Sequence, residues 1–103
     1  MASKLAHMVF FSLNDSSEAG RAKLIAACEK YLADQPGTVY YSVGTHVPDL
    51  QRPVNQTFDV ALHVVFESRE AHDRYQADPR HLKFIEETKP TWKEVRIYDS
   101  YVD

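Results

Sequence analysis

A single cysteine, Cys28, is all the thiol chemistry this chain of 103 residues carries. One thiol cannot close an intrachain disulfide or build a cysteine cage for zinc, which points to a reducing, cytoplasmic setting. Glycine is nearly as scarce, at three residues, so a glycine-rich loop cradling phosphates is not expected. No apolar run approaches the roughly 20 residues that a membrane-spanning helix needs. The longest, around Met8 to Phe11, is short, and the opening MASKLAHMVF lacks the apolar region of an export signal. Neither sign of charge dominates: the formal net charge is -3, and acidic and basic residues are interspersed without a basic stripe for phosphates. Neither nucleic acid nor membrane is expected as a partner. No serine or cysteine sits in a recognisable nucleophile elbow, which removes a charge-relay triad.

What is present suits one folded domain spanning residues 1–103. Hydrophobic residues make up 44% and charged residues 26%, as in ordinary globular proteins and unlike disordered chains. LAHMVFFSL, residues 5 to 13, reads as a first strand stopped by the turn formers NDSS. Asp15 and Glu18 resemble a capping box. Leu24, Ala27, Cys28, Tyr31 and Leu32 then fall at helical spacings, predicting a helix from about Ser16 to Ala33. A second strand is expected over 38–47 with Val39, Tyr41 and Val43 on one side, and Gly44 marks a bulge or a close backbone approach. After a proline-containing loop, FDVALHVVF places Phe58, Val60, Leu62, Val64 and Phe66 on one face of a third strand.

Ser68 caps a short helix that must stop near Asp78, because Pro79 drives its predecessor out of the helical region. Asp78 and Pro79 are in turn a good cap and first residue for another helix, through about Thr88. WKEVRIYDSYV is the last strand. The order βαββαβ, with its second helix broken, is the ferredoxin-like α+β arrangement. Both helices would cover one face of a four-stranded antiparallel sheet, leaving Met8, Phe10, Ala61 and Val65 on the other. A second copy of the chain is the simplest cover, so a homodimer through the sheet face is expected.

HMVFFSL, DVALHVVFES, YQADPRH and WKEVRIYDSY together resemble the stress-responsive α/β barrel family, Dabb, over essentially the whole chain. The resemblance implies a subunit that dimerises through its sheet into an α/β barrel and works without a cofactor. A plant polyketide cyclase of the family has a catalytic histidine and partner tyrosine at positions matching His81 and Tyr75, and a pocket tryptophan at the position of Trp92. Asp78 stands where the family's HPxH element has its first histidine, and the first helix has no evident match to the cyclase's pocket tyrosine.

His81 would sit in the first turn of a helix, where the positive end of the dipole disfavours a charged imidazole. A neutral imidazole beside the Tyr75 phenol suits enolate chemistry: the base takes a proton α to a carbonyl, and the donor holds the oxyanion. His7 shares a face with Val9 and Phe11 and is expected to line the same pocket, with Leu62 and Trp92 as apolar walls. Asp59, His63 and His46 lack the spacing of a compact metal motif, so no metal is expected. Tyr40, Tyr98 and Tyr101 are expected to pack, and Cys28 to be a small buried hydrophobe. The residues thus describe a small-molecule pocket used by a cofactor-free lyase or cyclase. A non-catalytic stress or ligand-binding dimer is the other reading, and a cofactor-free monooxygenase a third, on fold analogy alone.

Overall fold

A computed structural model describes residues 3–103. Strands β1 (Lys4–Leu13), β2 (Thr38–Thr45), β3 (Val60–Phe66) and β4 (Trp92–Val102) form one antiparallel sheet in the order β2-β3-β1-β4. Helix α1 (Glu18–Tyr31) joins β1 to β2, whereas α2 (Arg69–Ala77), α3 (Pro79–Thr88) and a 3-10 turn at Lys89–Thr91 join β3 to β4. The fold is ferredoxin-like, with a helical layer on one side of the sheet. Its least dimension, 19 Å, is that of two layers.

Alternation along β1 and β3 decides which side is which. His7 pairs with Val64, Val9 with Leu62 and Phe11 with Val60, and all six are buried beneath the helices. From the helical side, Leu24 and Cys28 of α1, Ala71 and Tyr75 of α2 and Phe84 of α3 close the core. The intervening residues Met8, Phe10, Ala61, His63 and Val65 face away from the helices and are half-buried.

Several boundaries differ from expectation for local reasons. The cap of α1 is Ser17, whose hydroxyl accepts from the Gly20 amide at 3.3 Å, while Asp15 instead accepts from the Ser17 amide at 3.1 Å. The helix therefore starts at Glu18 and ends at Tyr31. A register irregularity between Thr38 and Tyr40 turns Val39 out, 50% exposed, and leaves Tyr41 and Val43 to pack against the core. Gly44 stands in regular register opposite Ala61, and a side chain there would meet nothing within 4 Å, so it marks neither bulge nor close approach. The glycine that matters is Gly37, at φ +83°, where an added Cβ would lie 2.6 Å from that of Ala71.

Phe58 also departs from the alternation. The chain bends at Asp59, whose amide donates to the Phe11 carbonyl at 2.7 Å and whose carboxylate accepts from the Leu13 amide at 2.8 Å. Beyond that bend Phe58 packs edge-on against Phe10, on the side away from the helices. Tyr40, Tyr98 and Tyr101 are half or more exposed instead of being packed. Tyr98 lies edge-on to Phe10 and Tyr40 to His63. Cys28 is fully buried, which pushes its thiol up to about 12.

The helix break forms as its sequence dictates. Asp78 adopts an extended conformation, and its carboxylate accepts from the Arg80 amide at 2.8 Å, with Pro79 opening α3. Arg80 spans to the end of α1, donating to the carbonyls of Lys30 and Ala33. The break is thereby tied to the rest of the helical layer.

Candidate functional site

A cavity of about 150 Å³ lies between the helices and the sheet, and His7, Leu62, Tyr75, His81 and Trp92 all line it. The strands supply His7, Val9 and Phe11 from β1, Leu62 from β3, and Trp92, Val95 and Ile97 from β4. The helices supply Tyr75 and Gln76 from α2 and His81, Phe84 and Ile85 from α3. Most of these are apolar, so polar groups in the wall interact in a medium that screens them poorly.

His81 is the third residue of α3 and is 8% exposed. The break lets it reach back over α2: its Nδ1 lies 3.2 Å from the Gln76 carbonyl oxygen, and its ring centroid is 4.6 Å from that of Tyr75. A carbonyl can only accept, so Nδ1 carries the proton and Nε2 keeps its lone pair. Burial holds the imidazole below its ordinary value of 6.5, against the raising effects of the Gln76 hydrogen bond and the Asp78 charge. The direction agrees with the dipole argument, but burial is its principal cause. The imidazole is therefore neutral at neutral pH.

Tyr75 is 2% exposed, packed against Phe66 and His81, and burial pushes its phenol well above the ordinary tyrosine range. It remains protonated and able to donate. Among the described residues its Oη has no hydrogen-bond partner, and neither has Trp92 Nε1. Two buried donors left without acceptors, on residues that wall a small, largely apolar cavity, each carry a desolvation cost of about 1–3 kcal/mol. A ligand with an acceptor oxygen would relieve it.

His7 lines the cavity from the sheet side, 4% exposed, with its Nδ1 2.5 Å from Asp99 Oδ1. The two residues are cross-strand partners in the register of β1 and β4. Burial lowers the His7 pKa, opposed by that hydrogen bond and the Asp99 charge. Sequence reasoning missed Asp99 and Gln76. The first follows only from strand register, and the second acts through a backbone carbonyl and leaves no side-chain signal.

His46, Asp59 and His63 do not form a metal-ligating group. Among the described residues a different trio, His7, His72 and Asp99, brings one ligand atom from each residue within 4.8 Å of the others.

The model of the stress responsive A/B barrel domain, Dabb, matches residues 5–102. The chain belongs to this family. A comparison with curated proteins finds no match. Solved structures resemble this Dabb domain over almost its whole length. The hydroxynitrile lyase from Passiflora edulis has a TM-score of 0.82 at 17% identity, covering 100% of this chain and 96% of that one. A dimeric ferredoxin-like protein of unknown function from Thermobifida fusca has a TM-score of 0.81 at 17% identity, covering 99% and 93%. The cofactor-independent oxygenase SnoaB from Streptomyces nogalater has a TM-score of 0.70 at 16% identity, covering 96% and 92%. At these identities the likeness establishes a common fold and leaves the chemistry to be argued from the site. No described helix of this Dabb domain is long and apolar enough to cross a membrane.

Proposed function

We propose that this Dabb protein is a homodimer, joined through the uncovered sheet faces, whose cavity binds a small carbonyl compound and catalyses a cofactor-free proton-transfer or lyase step. A buried Tyr75 hydroxyl without a partner among the described residues, on a ring whose centroid is 4.6 Å from that of the neutral His81 imidazole in the wall of one largely apolar cavity, is the observation that carries this reading. His81 Nε2 takes a proton from carbon α to the carbonyl. The electron pair of that C–H bond moves onto the carbonyl oxygen, and the Tyr75 hydroxyl donates to the enolate so formed. The His81 imidazolium then returns its proton to the enolate carbon, to the oxyanion formed when the enolate attacks a neighbouring carbonyl, or to the group the enolate expels, which completes the turn. Trp92 Nε1 is a second unpaired donor available to the same ligand.

The cavity also limits size. A volume of about 150 Å³ matches one that accepts a benzene-sized guest, so the fitting ligand has a single ring or a short chain. A hydroxynitrile lyase and a cofactor-independent oxygenase among the structural neighbours support a catalytic reading of the cavity. The dimeric neighbour from Thermobifida fusca supports the assembly, as do Met8, Phe10 and Val65 on the face the helices leave bare.

Hydrogen–deuterium exchange at the α carbon of single-ring and short-chain ketones, followed by NMR in D2O, tests the first chemical step alone. The parent should accelerate exchange on at least one ketone, and His81→Ala should remove the acceleration. Tyr75→Phe should reduce it by about a hundredfold or more, the usual cost of one oxyanion donor. Undiminished exchange by His81→Ala would overturn the assignment of the base. Ketone binding without exchange by the parent would make the cavity a binding site only.

A further inference from the structure

We propose that His7, His72 and Asp99 form a binding site for a late first-row divalent cation such as Zn²⁺. Three elements meet there. His7 and Asp99 face each other across β1 and β4, and His72 comes down from α2, with its ring centroid 5.4 Å from that of His7 in an edge-on arrangement. Two imidazole nitrogens and one carboxylate oxygen are the donor set of open three-ligand sites, which leave further positions for water or another ligand.

The distances suit closure. One ligand atom from each residue already lies within 4.8 Å of the other two. Around a tetrahedral ion with bonds of about 2.0–2.1 Å, ligand atoms sit about 3.3 Å apart. The widest pair must therefore approach while the short His7–Asp99 contact opens. The Asp99 side chain, 42% exposed at the sheet edge, is free to make that adjustment.

A second, independent feature points the same way. His72 Nδ1 lies 3.0 Å from Asp73 Oδ1, the outer carboxylate contact that metal-bound histidines use to fix their tautomer and raise their basicity. With the proton on Nδ1, the lone pair is on Nε2, where the Gln76 side-chain amide now sits 3.4 Å away and would give way to an ion. The Arg69 guanidinium, the nearby group that would repel a cation, is paired with that same Asp73 carboxylate at 3.1 Å.

Access exists from one side and function from the other. A groove of about 240 Å³ lined by Leu5, Arg69, His72, Asp99, Ser100 and Tyr101 opens onto His72 and Asp99, whereas His7 is also a wall of the inner cavity. The trio lies on the helical side of the sheet, so pairing of the opposite faces leaves it uncovered. The inference does not rest on the enolate reading.

Calorimetric titration of tag-free, chelator-treated protein with Zn²⁺ tests it, with Co²⁺ and its visible absorption as a second probe of coordination. One ion per chain is expected. His72→Ala and Asp99→Asn should each weaken binding by about a hundredfold, and Asp73→Asn by about tenfold, as outer-contact losses do. His63→Ala, on the opposite face, should leave it unchanged. Asp99→Asn keeps the size of an exposed side chain, so it isolates ligation if His72→Ala folds poorly, which circular dichroism will show. No uptake by the parent, or uptake undiminished in Asp99→Asn, would overturn the site.

Discussion

Removing the Tyr75 hydroxyl should make the free protein more stable while it disables the cavity. The oxygen is buried, and no group among the described residues accepts a hydrogen bond from it or donates one to it. Holding a hydroxyl in that condition costs about 1–3 kcal/mol, whereas a phenylalanine ring of the same shape has nothing to desolvate. Tyr75→Phe keeps the contacts with Phe66 and His81 and sheds that cost. For a domain of about 100 residues each kcal/mol moves the melting temperature by about 4–8 °C, so a rise of several degrees is expected. Tyr31→Phe is the matched control. Its hydroxyl donates to Glu87 Oε1 at 2.8 Å, and its loss should lower stability by about 1 kcal/mol. Differential scanning calorimetry of both variants, paired with the ketone exchange assay, reads the two signs together. A Tyr75→Phe protein that melts below the parent by as much as Tyr31→Phe would refute the reasoning. Its hydroxyl would then be satisfied in the free state and not held in reserve for a ligand.

Acidification should destabilise the fold in a defined window. Burial lowers the pKa of both His7 and His81 below 6.5, so as pH falls below that value the unfolded chain takes up protons that the folded one still refuses. Stability is therefore complete above pH 6.5 and declines as pH falls toward the depressed folded values, by up to about 1.4 kcal/mol per pH unit for each histidine. Thermal melts across this range should show a shallower decline for His81→Gln; an identical decline would remove His81 from the account. Light scattering should give the parent a mass twice the 11.8 kDa of one chain, and Val65→Glu on the uncovered face should return it to one. A parent already monomeric at micromolar concentration would exclude the sheet-face dimer.

Strong local signals made most of the fold legible. The alternation Val60, Leu62, Val64, Phe66 specified a strand and its buried face, and Asp78-Pro79 specified a helix break, because each rests on chemistry within a few residues. What failed needed information from elsewhere in the chain. Phe58 fits the alternation of the third strand, yet the Asp59 bend, held by Phe11 and Leu13 of β1, carries it to the other side. Val39 is turned out by an irregularity in pairing with β3 that its own neighbours do not announce. The cavity wall was traceable through His7, Leu62, Tyr75, His81 and Trp92. The meeting of His72 with Asp99 was not, because it depends on the β1–β4 register and on where α2 lies above it.

The strict alternation of β1 sets different tolerances for different kinds of genetic change. His7, Val9 and Phe11 furnish the cavity wall, while Met8 and Phe10 point to the uncovered face. Replacements on either set alter one surface and spare the other, so ligand preference and assembly can drift apart by point substitution. A single codon gained or lost within the strand would exchange the two sets at a stroke, turning His7 to the uncovered face and Met8 and Phe10 toward the helices. The length of β1 is thus under far tighter constraint than its composition. Insertions have room instead in the connection 46–59, which contributes no wall to the cavity.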